Sequence, residues 1–204
     1  MKVLGISSSP RIKSSTDLLL RRALAGAESA GAQTEYLRLA DFKIAPCVEC
    51  NACYKLGKCR INDDYQQIFP KMLETDRLIF ATPIFFMAVC AQAKLLIDRC
   101  QSLWACKYIL KQPLIEAAGR DRRAMVIAVG GSKSTKMFEC IRLTMKYFFD
   151  VLDIRYVSSL FMNNIENPGD IAAHPCALNE AFRLGAELAA APVPPGKPIE
   201  VQLL

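Results

Sequence analysis

Five short apolar runs, separated by longer amphipathic stretches, restrict the fold of this chain more than any other feature. The runs are Val3 to Ser7, Thr34 to Leu39, Leu78 to Ala81 (ended at Pro83), Ala124 to Val129 and Ile154 to Leu160. After the first, Leu20, Leu24 and Ala27 recur at helical spacing between Ser15 and Ala30, with Gly31 as a stop. A second helical pattern runs through Ile68, Met72 and Leu73; Asp63 and Asp64 before it read as first-turn acids suited to the helix dipole. Further helices are predicted from Ala91 to Lys107, along Met137, Cys140, Ile141, Thr144 and Phe148, and from Pro175 to Ala190. Strands alternating with helices predict an α/β protein built on a five-stranded parallel sheet. No repeat or linker divides residues 1–190, so they are expected to form one domain, interrupted by a cysteine-rich insertion at 46–60. The Pro-rich segment 191–204 is predicted as an extended tail on the surface or against a neighbouring subunit.

In parallel α/β sheets, ligands bind beyond the carboxyl ends of the strands, near the point where strand order reverses. Three segments follow such ends. Ser7 to Thr16 holds six hydroxyl side chains plus Arg11 and Lys13 in ten residues. A strand-to-helix turn of this kind presents free backbone N–H groups and the positive end of a helix dipole, which suits a phosphate. The plainer reading is a Ser-rich loop in which Ser14 or Ser15 caps the helix. Neither a Walker-type nor a GxGxxG pattern is present. Thr82 to Cys90 is apolar and could line a flat ring or cap the core, and Gly130 to Thr135 could bring backbone close to a ligand or simply turn.

Cys47, Cys50, Cys53 and Cys59 are spaced C-x2-C-x2-C-x5-C. Thiolates crowded on one irregular loop suit a [4Fe–4S] centre, whereas structural zinc usually takes two C-x-x-C arms with a longer insert. Free or disulfide-forming thiols are the third option. Basic residues between Lys55 and Arg60 would offset the charge of a thiolate-bound cluster. Cys90, Cys100, Cys106, Cys140 and Cys176 read as packing residues, and His174 as a helix-entry residue.

The net charge of +6 comes without a dense basic run or interleaved aromatics, so nucleic-acid binding is not expected. Arg120-Asp121-Arg122-Arg123 reads as a solvated turn before a strand, with docking of an acidic redox partner as the alternative. No secretory h-region or membrane-length apolar stretch is seen, so a cytoplasmic location away from membranes is expected. Nine cysteines there favour metal ligation or catalysis over disulfides.

Several segments resemble one family together: Ser9-Pro10-Arg11 through Thr16, the cysteine set, Asp63-Asp64, Thr82 to Phe86, and Gln92 to Arg99. They are similar to the iron–sulfur flavoprotein group of the flavodoxin-like NADPH-dependent FMN reductase superfamily, from Met1 to about Ala190. The resemblance implies a flavodoxin-like three-layer sandwich that binds FMN. Ser9, Arg11, Ser14, Ser15 and Thr16 would hold its phosphate. Pro83, Ile84, Phe85, Phe86 and Met87 would lie beside the isoalloxazine, and Gly130, Gly131 and Ser132 would reach the ring. Cys47, Cys50, Cys53 and Cys59 match the cluster ligands. The expected activity is that of an oxidoreductase or electron carrier passing electrons between a one-electron donor and an acceptor, with no side-chain acid or base. The alternative is an NAD(P)H-dependent FMN or quinone reductase without a cluster. The partners implied are a ferredoxin-like donor or NAD(P)H, in a homodimer or homotetramer. One departure concerns Phe85-Phe86-Met87, which stands where the family commonly has Tyr-Phe-Gly, so Met87 would crowd the flavin face.

Overall fold

The computed structural model describes residues 1–114, 120–167, 169–190 and 196–203. The amino-terminal half gives β1 (Lys2–Ser7), α1 (Ser15–Ser29), β2 (Gln33–Arg38), the short α2 (Cys53–Leu56), α3 (Tyr65–Glu74), β3 (Arg77–Phe85), β4 (Ala88–Val89) and α4 (Ala91–Arg99). The remainder gives the single-turn α5 (Gln101–Trp104), a π-helical turn at Ala105–Leu110, β5 (Arg123–Val129), α6 (Met137–Val151), β6 (Arg155–Met162), α7 (Pro175–Ala189) and β7 (Ile199–Leu203). Six strands run parallel in the order β2-β1-β3-β5-β6-β7, and β4 folds back antiparallel on β3. The order reverses between β1 and β3, the flavodoxin-type switch point.

Every residue of β5 is buried, as a strand covered on both faces requires. Its alternation sorts two cores. Ala124, Val126 and Ala128 face α3, α4 and α6 together with Leu78 and Phe80 of β3. Met125, Ile127 and Val129 face α1 and α7 together with Ile79 and Ala81. The result is helix, sheet, helix. The predicted face of α1 packs as expected, with Leu20, Leu24 and Ala27 buried.

Three sequence expectations are corrected. The sheet has one parallel strand more than the five predicted, because Ile199, Val201 and Leu203 alternate with polar residues and lie beside Ser158, Leu160 and Met162 of β6. The single predicted helix from Ala91 to Lys107 is broken after Arg99 and continues as α5 and a π-helical turn. The Arg120–Arg123 run is solvated only in its first half: Arg120 and Asp121 are exposed, but Arg122 and Arg123 are buried. Arg122 is 3% exposed and donates to the carbonyls of Thr75 at 3.0 Å and Leu152 at 2.6 Å. Arg123 is likewise buried and bonds to the Asp121 carboxylate at 3.0 Å. No helix among the described residues is long and apolar enough to cross a membrane.

Candidate functional site: a cleft at the strand ends and a cysteine loop

The loop after β1 is built around the amino end of α1. Ser14 is the N-cap, its hydroxyl accepting from the Asp17 N–H at 3.2 Å. Ser9 Oγ accepts from the Arg11 N–H at 3.2 Å, and Ser8 donates to the Ala81 carbonyl at 3.0 Å, which ties the loop to β3. Ser9, Ser14, Ser15 and Thr16 are all buried, and they gather hydroxyls at the positive end of a fifteen-residue helix. Asp17 turns away from this end: its carboxylate takes the Arg21 Nε–H at 3.1 Å and the Tyr36 hydroxyl. Burial and the Asp17 bond hold the Tyr36 phenol above its usual range.

A cleft of about 430 Å³ opens here, a size typical of small-molecule sites. Ser9, Arg11, Ser14, Ser15, Thr16, Pro83, Ile84, Phe85, Gly130 and Gly131 line it. Val129, Ile165, Glu166 and Asn167 complete the wall. The last three follow β6, a strand end that the carboxyl-end rule would have singled out. Arg11 Nη1 donates to the Glu166 carbonyl at 3.4 Å and Ser15 to the Asn167 carbonyl at 3.3 Å, which ties this segment to the first loop. The two glycines keep the wall close. A Cβ on Gly131 would stand 2.7 Å from Glu166 Cγ, and one on Gly130 would stand 2.6 Å from Met137 Sδ.

Phe86, Met87 and Ser132 stand outside the lining residues. Phe86 and Met87 form the two-residue tip of the β3–β4 hairpin, with φ of 48° and 62°. Two left-handed residues joining paired strands make a type I′ turn, whose twist matches the strands. The turn leaves Phe86 fully exposed and Met87 about half exposed, so Met87 does not crowd the cleft. Ser132 is also exposed, its hydroxyl accepting from the Ser134 N–H at 3.1 Å. A FMN molecule would find in this cleft the groups its phosphate and ring require: buried hydroxyls, a helix amino end, an arginine, and an apolar wall of Pro83, Ile84 and Phe85.

The cysteine loop lies at the far end of α4. That helix starts behind the cleft, where the Cys90 thiol donates to the Ser8 carbonyl at 3.0 Å. It ends nine residues on, about 13 Å at the helical rise of 1.5 Å per residue, at Arg99. Cys47, Cys50, Cys53 and Cys59 border one small cavity with Arg99, Gln101 and Ser102. Burial and then the nearby Cys47, Cys59 and Cys50 sulfurs push the Cys53 thiol up. Among the described residues, no three Cys, His, Asp or Glu side chains form a group able to hold a single metal ion. Four thiols around a common cavity match the donor chemistry of a polynuclear centre, in which each cysteine takes its own iron.

Asp63 and Asp64 precede α3 rather than occupying its first turn, and they hold the cysteine loop. Asp64 accepts from the Lys43 N–H at 2.7 Å, and Asp63 from the Ala45 N–H at 2.8 Å and Arg99 at 2.6 Å. Burial alone would raise the Asp63 carboxyl; the Arg99 bond and the backbone donors outweigh it and hold the group below the carboxylate range. Its folded value lies below the unfolded one of about 3.8, so its stabilisation is complete above that pH and is lost as pH falls through the folded value. Asp63→Asn should therefore flatten the acid limb of the protein's thermal-stability profile, measured by melts across the acid range. Behind the pair, burial pushes the Cys100 thiol up to about 12, which keeps it a neutral packing group.

Over 103 residues the chain is 47% identical to an iron-sulfur flavoprotein of Methanocaldococcus jannaschii, covering 50% of this chain and 53% of that one. An iron-sulfur flavoprotein of Methanosarcina thermophila is 33% identical over 134 residues, 66% of this chain and 65% of that one. The matched regions thus span about half to two thirds of these relatives. The NAD(P)H:quinone oxidoreductase from Methanothermobacter marburgensis superposes with a TM-score of 0.68 at 18% identity, over 95% of this chain and 99% of that one, a likeness of fold. The sequence profile of NADPH-dependent FMN reductases matches residues 1–165, a stretch that runs from the Ser-rich loop through the cysteines to the Gly130 turn. On that match the chain belongs to the NADPH-dependent FMN reductase family.

Proposed function

We propose that this chain is an FMN-binding oxidoreductase that also carries a [4Fe–4S] cluster on Cys47, Cys50, Cys53 and Cys59. In this reading it passes electrons between a one-electron donor and an acceptor. The observation that carries it is the presence of two built sites in one chain: a cleft with buried hydroxyls at the amino end of α1, and a four-thiol cavity bordered by Arg99, the last residue of α4. FMN when bound exchanges electrons singly or in pairs, which lets a one-electron centre communicate with a two-electron partner. The chain's own residues bind and orient. The α1 amino end with Ser9, Ser14, Ser15 and Thr16 would hold the phosphate together with Arg11, and Pro83 to Phe85 with Gly130 and Gly131 would flank the ring. Residues 1–190 would form the flavin-binding domain, with 46–60 as the cluster-bearing insertion. A ferredoxin-like protein or NAD(P)H is the donor in this reading, and the working unit is a homodimer or homotetramer.

Arg11→Ala is expected to weaken FMN binding about tenfold to a hundredfold, since a charged hydrogen bond is worth roughly 1.5–3 kcal/mol. Riboflavin, which lacks the phosphate, should bind both proteins equally. Fluorescence titration with the two flavins checks this, and an equal loss for riboflavin would move Arg11 away from the phosphate.

A second reading is favoured by the family profile itself: an NAD(P)H-dependent FMN or quinone reductase without a cluster, whose cysteines are structural or redox-active thiols. It requires rapid flavin bleaching by NADPH or NADH with no other protein present. A carrier served only by a protein donor instead requires negligible hydride oxidation and salt-sensitive exchange with that donor. Anaerobic stopped-flow mixing separates them.

A further inference from the structure

Arg99 is the most deeply buried charge at the cysteine loop, its side chain 0% exposed beside an Asp63 that is 14% exposed. A guanidinium taken out of water is tolerated only when its N–H donors find acceptors. Arg99 has a carboxylate at 2.6 Å, the Ala45 carbonyl at 3.0 Å, the Ile61 carbonyl at 3.1 Å and, from Nε, the Cys59 sulfur at 3.3 Å. The Tyr65 ring lies 4.7 Å from the guanidinium carbon and restricts it from one side. The first three bonds fix the strands of loop before and after the cysteines. The fourth is different in kind, because it aims a cationic N–H at the sulfur of one cysteine of the four.

We infer that Arg99 is the positioning residue of the cysteine site: it turns Cys59 Sγ toward the other three thiols and raises the reduction potential of the centre they hold. The inference rests on the cluster reading above. A hydrogen bond from a cation withdraws electron density from a ligating sulfur and favours the more negative, reduced state of the centre. Lysine cannot replace it, because an ammonium lacks the planar fork that reaches Cys59, Asp63 and two carbonyls together.

The test compares wild type with Arg99→Lys and Arg99→Gln, purified anaerobically, by iron, sulfide and flavin content and by an EPR-monitored redox titration. FMN content should be unchanged in both variants. Iron per flavin should fall severalfold, and the centres retained should have lower midpoint potentials, lowest in Arg99→Gln. Wild-type iron content and potential in both variants would overturn the inference. Wild type with FMN but no iron or sulfide would instead remove the cluster reading, and this inference with it. Should the variants not fold, wild type grown on guanidino-15N arginine answers the question. ENDOR of its reduced centre should show a 15N coupling that survives Arg60→Gln, the other arginine bordering the cavity. Absence of that coupling would also overturn the inference.

Discussion

Cys50→Ser is expected to abolish the iron–sulfur absorption while leaving most of the FMN bound. Cys50 is exposed on a stretch of loop without regular structure, and it belongs to neither of the two apolar cores. Its loss therefore takes a donor from the cavity and little from the fold. A [4Fe–4S] centre with four cysteine ligands does not tolerate one missing thiolate well, so iron and sulfide should fall from about four per chain toward zero. The cleft proposed for the flavin has no cysteine in its lining and keeps all its residues. Cys176→Ser is the control: this thiol is exposed on α7, in the opposite helix layer, and its removal should change neither quantity. Metal analysis with flavin absorbance on the same sample reads both outcomes, and unchanged iron in Cys50→Ser would refute the ligand assignment.

The largest stability effect is expected at the crossing of α1 and α7. There the two backbones touch. A Cβ on Gly185 would fall 1.9 Å from the Ala23 carbonyl oxygen, and one on Gly26 would fall 2.0 Å from that of Phe182. Backbone on both sides cannot yield as a flexible side chain would, so even one methyl group must push the helices apart. Gly185→Ala should cost about 3 kcal/mol, the upper part of the range for overpacking. In a protein of this size that lowers the melting temperature by roughly 10 °C. The displacement should also weaken FMN binding, because the amino end of α1 forms the loop proposed to hold the phosphate. Gly169→Ala, where a Cβ meets nothing within 4 Å, should stay within about 0.5 kcal/mol of wild type. A Gly185→Ala protein as stable as that control would show that the helices do not cross this closely.

The sheet was legible in the sequence because β1, β3 and β5 are covered on both faces and so read as unbroken apolar runs. The sixth parallel strand was masked by its neighbours. Ile199-Glu200-Val201-Gln202-Leu203 has the period of a strand, but the prolines before it dominate a reading by composition. The Ser-rich loop and the glycine pair follow strand ends, whereas Pro83, Ile84 and Phe85, expected in a loop, are the last residues of β3 itself; the fold brings residues from all three segments to one cleft. Glu166 and Asn167 escaped because they carry no motif, only a position after β6. The Phe86-Met87 hairpin escaped because its type I′ turn lacks the Asn-Gly pair that normally announces one. The arginines misled most. Arg122 and Arg123 look like surface charge in one dimension, and Arg99 stands out only as the end of the Gln92 to Arg99 segment, yet all three are buried. For Arg99 and Arg122 the acceptors lie on segments distant in the chain, at Ala45, Ile61 and Asp63 and at Thr75 and Leu152.

The most direct measurement is an anaerobic absorption spectrum of the purified protein, with iron, sulfide, zinc and flavin quantified on the same sample. About four iron and four sulfide with one FMN per chain is the expected result. FMN without iron, or zinc in the place of iron, would contradict the assignment of Cys47, Cys50, Cys53 and Cys59 to an iron–sulfur centre and leave an NAD(P)H-dependent flavin reductase as the better description.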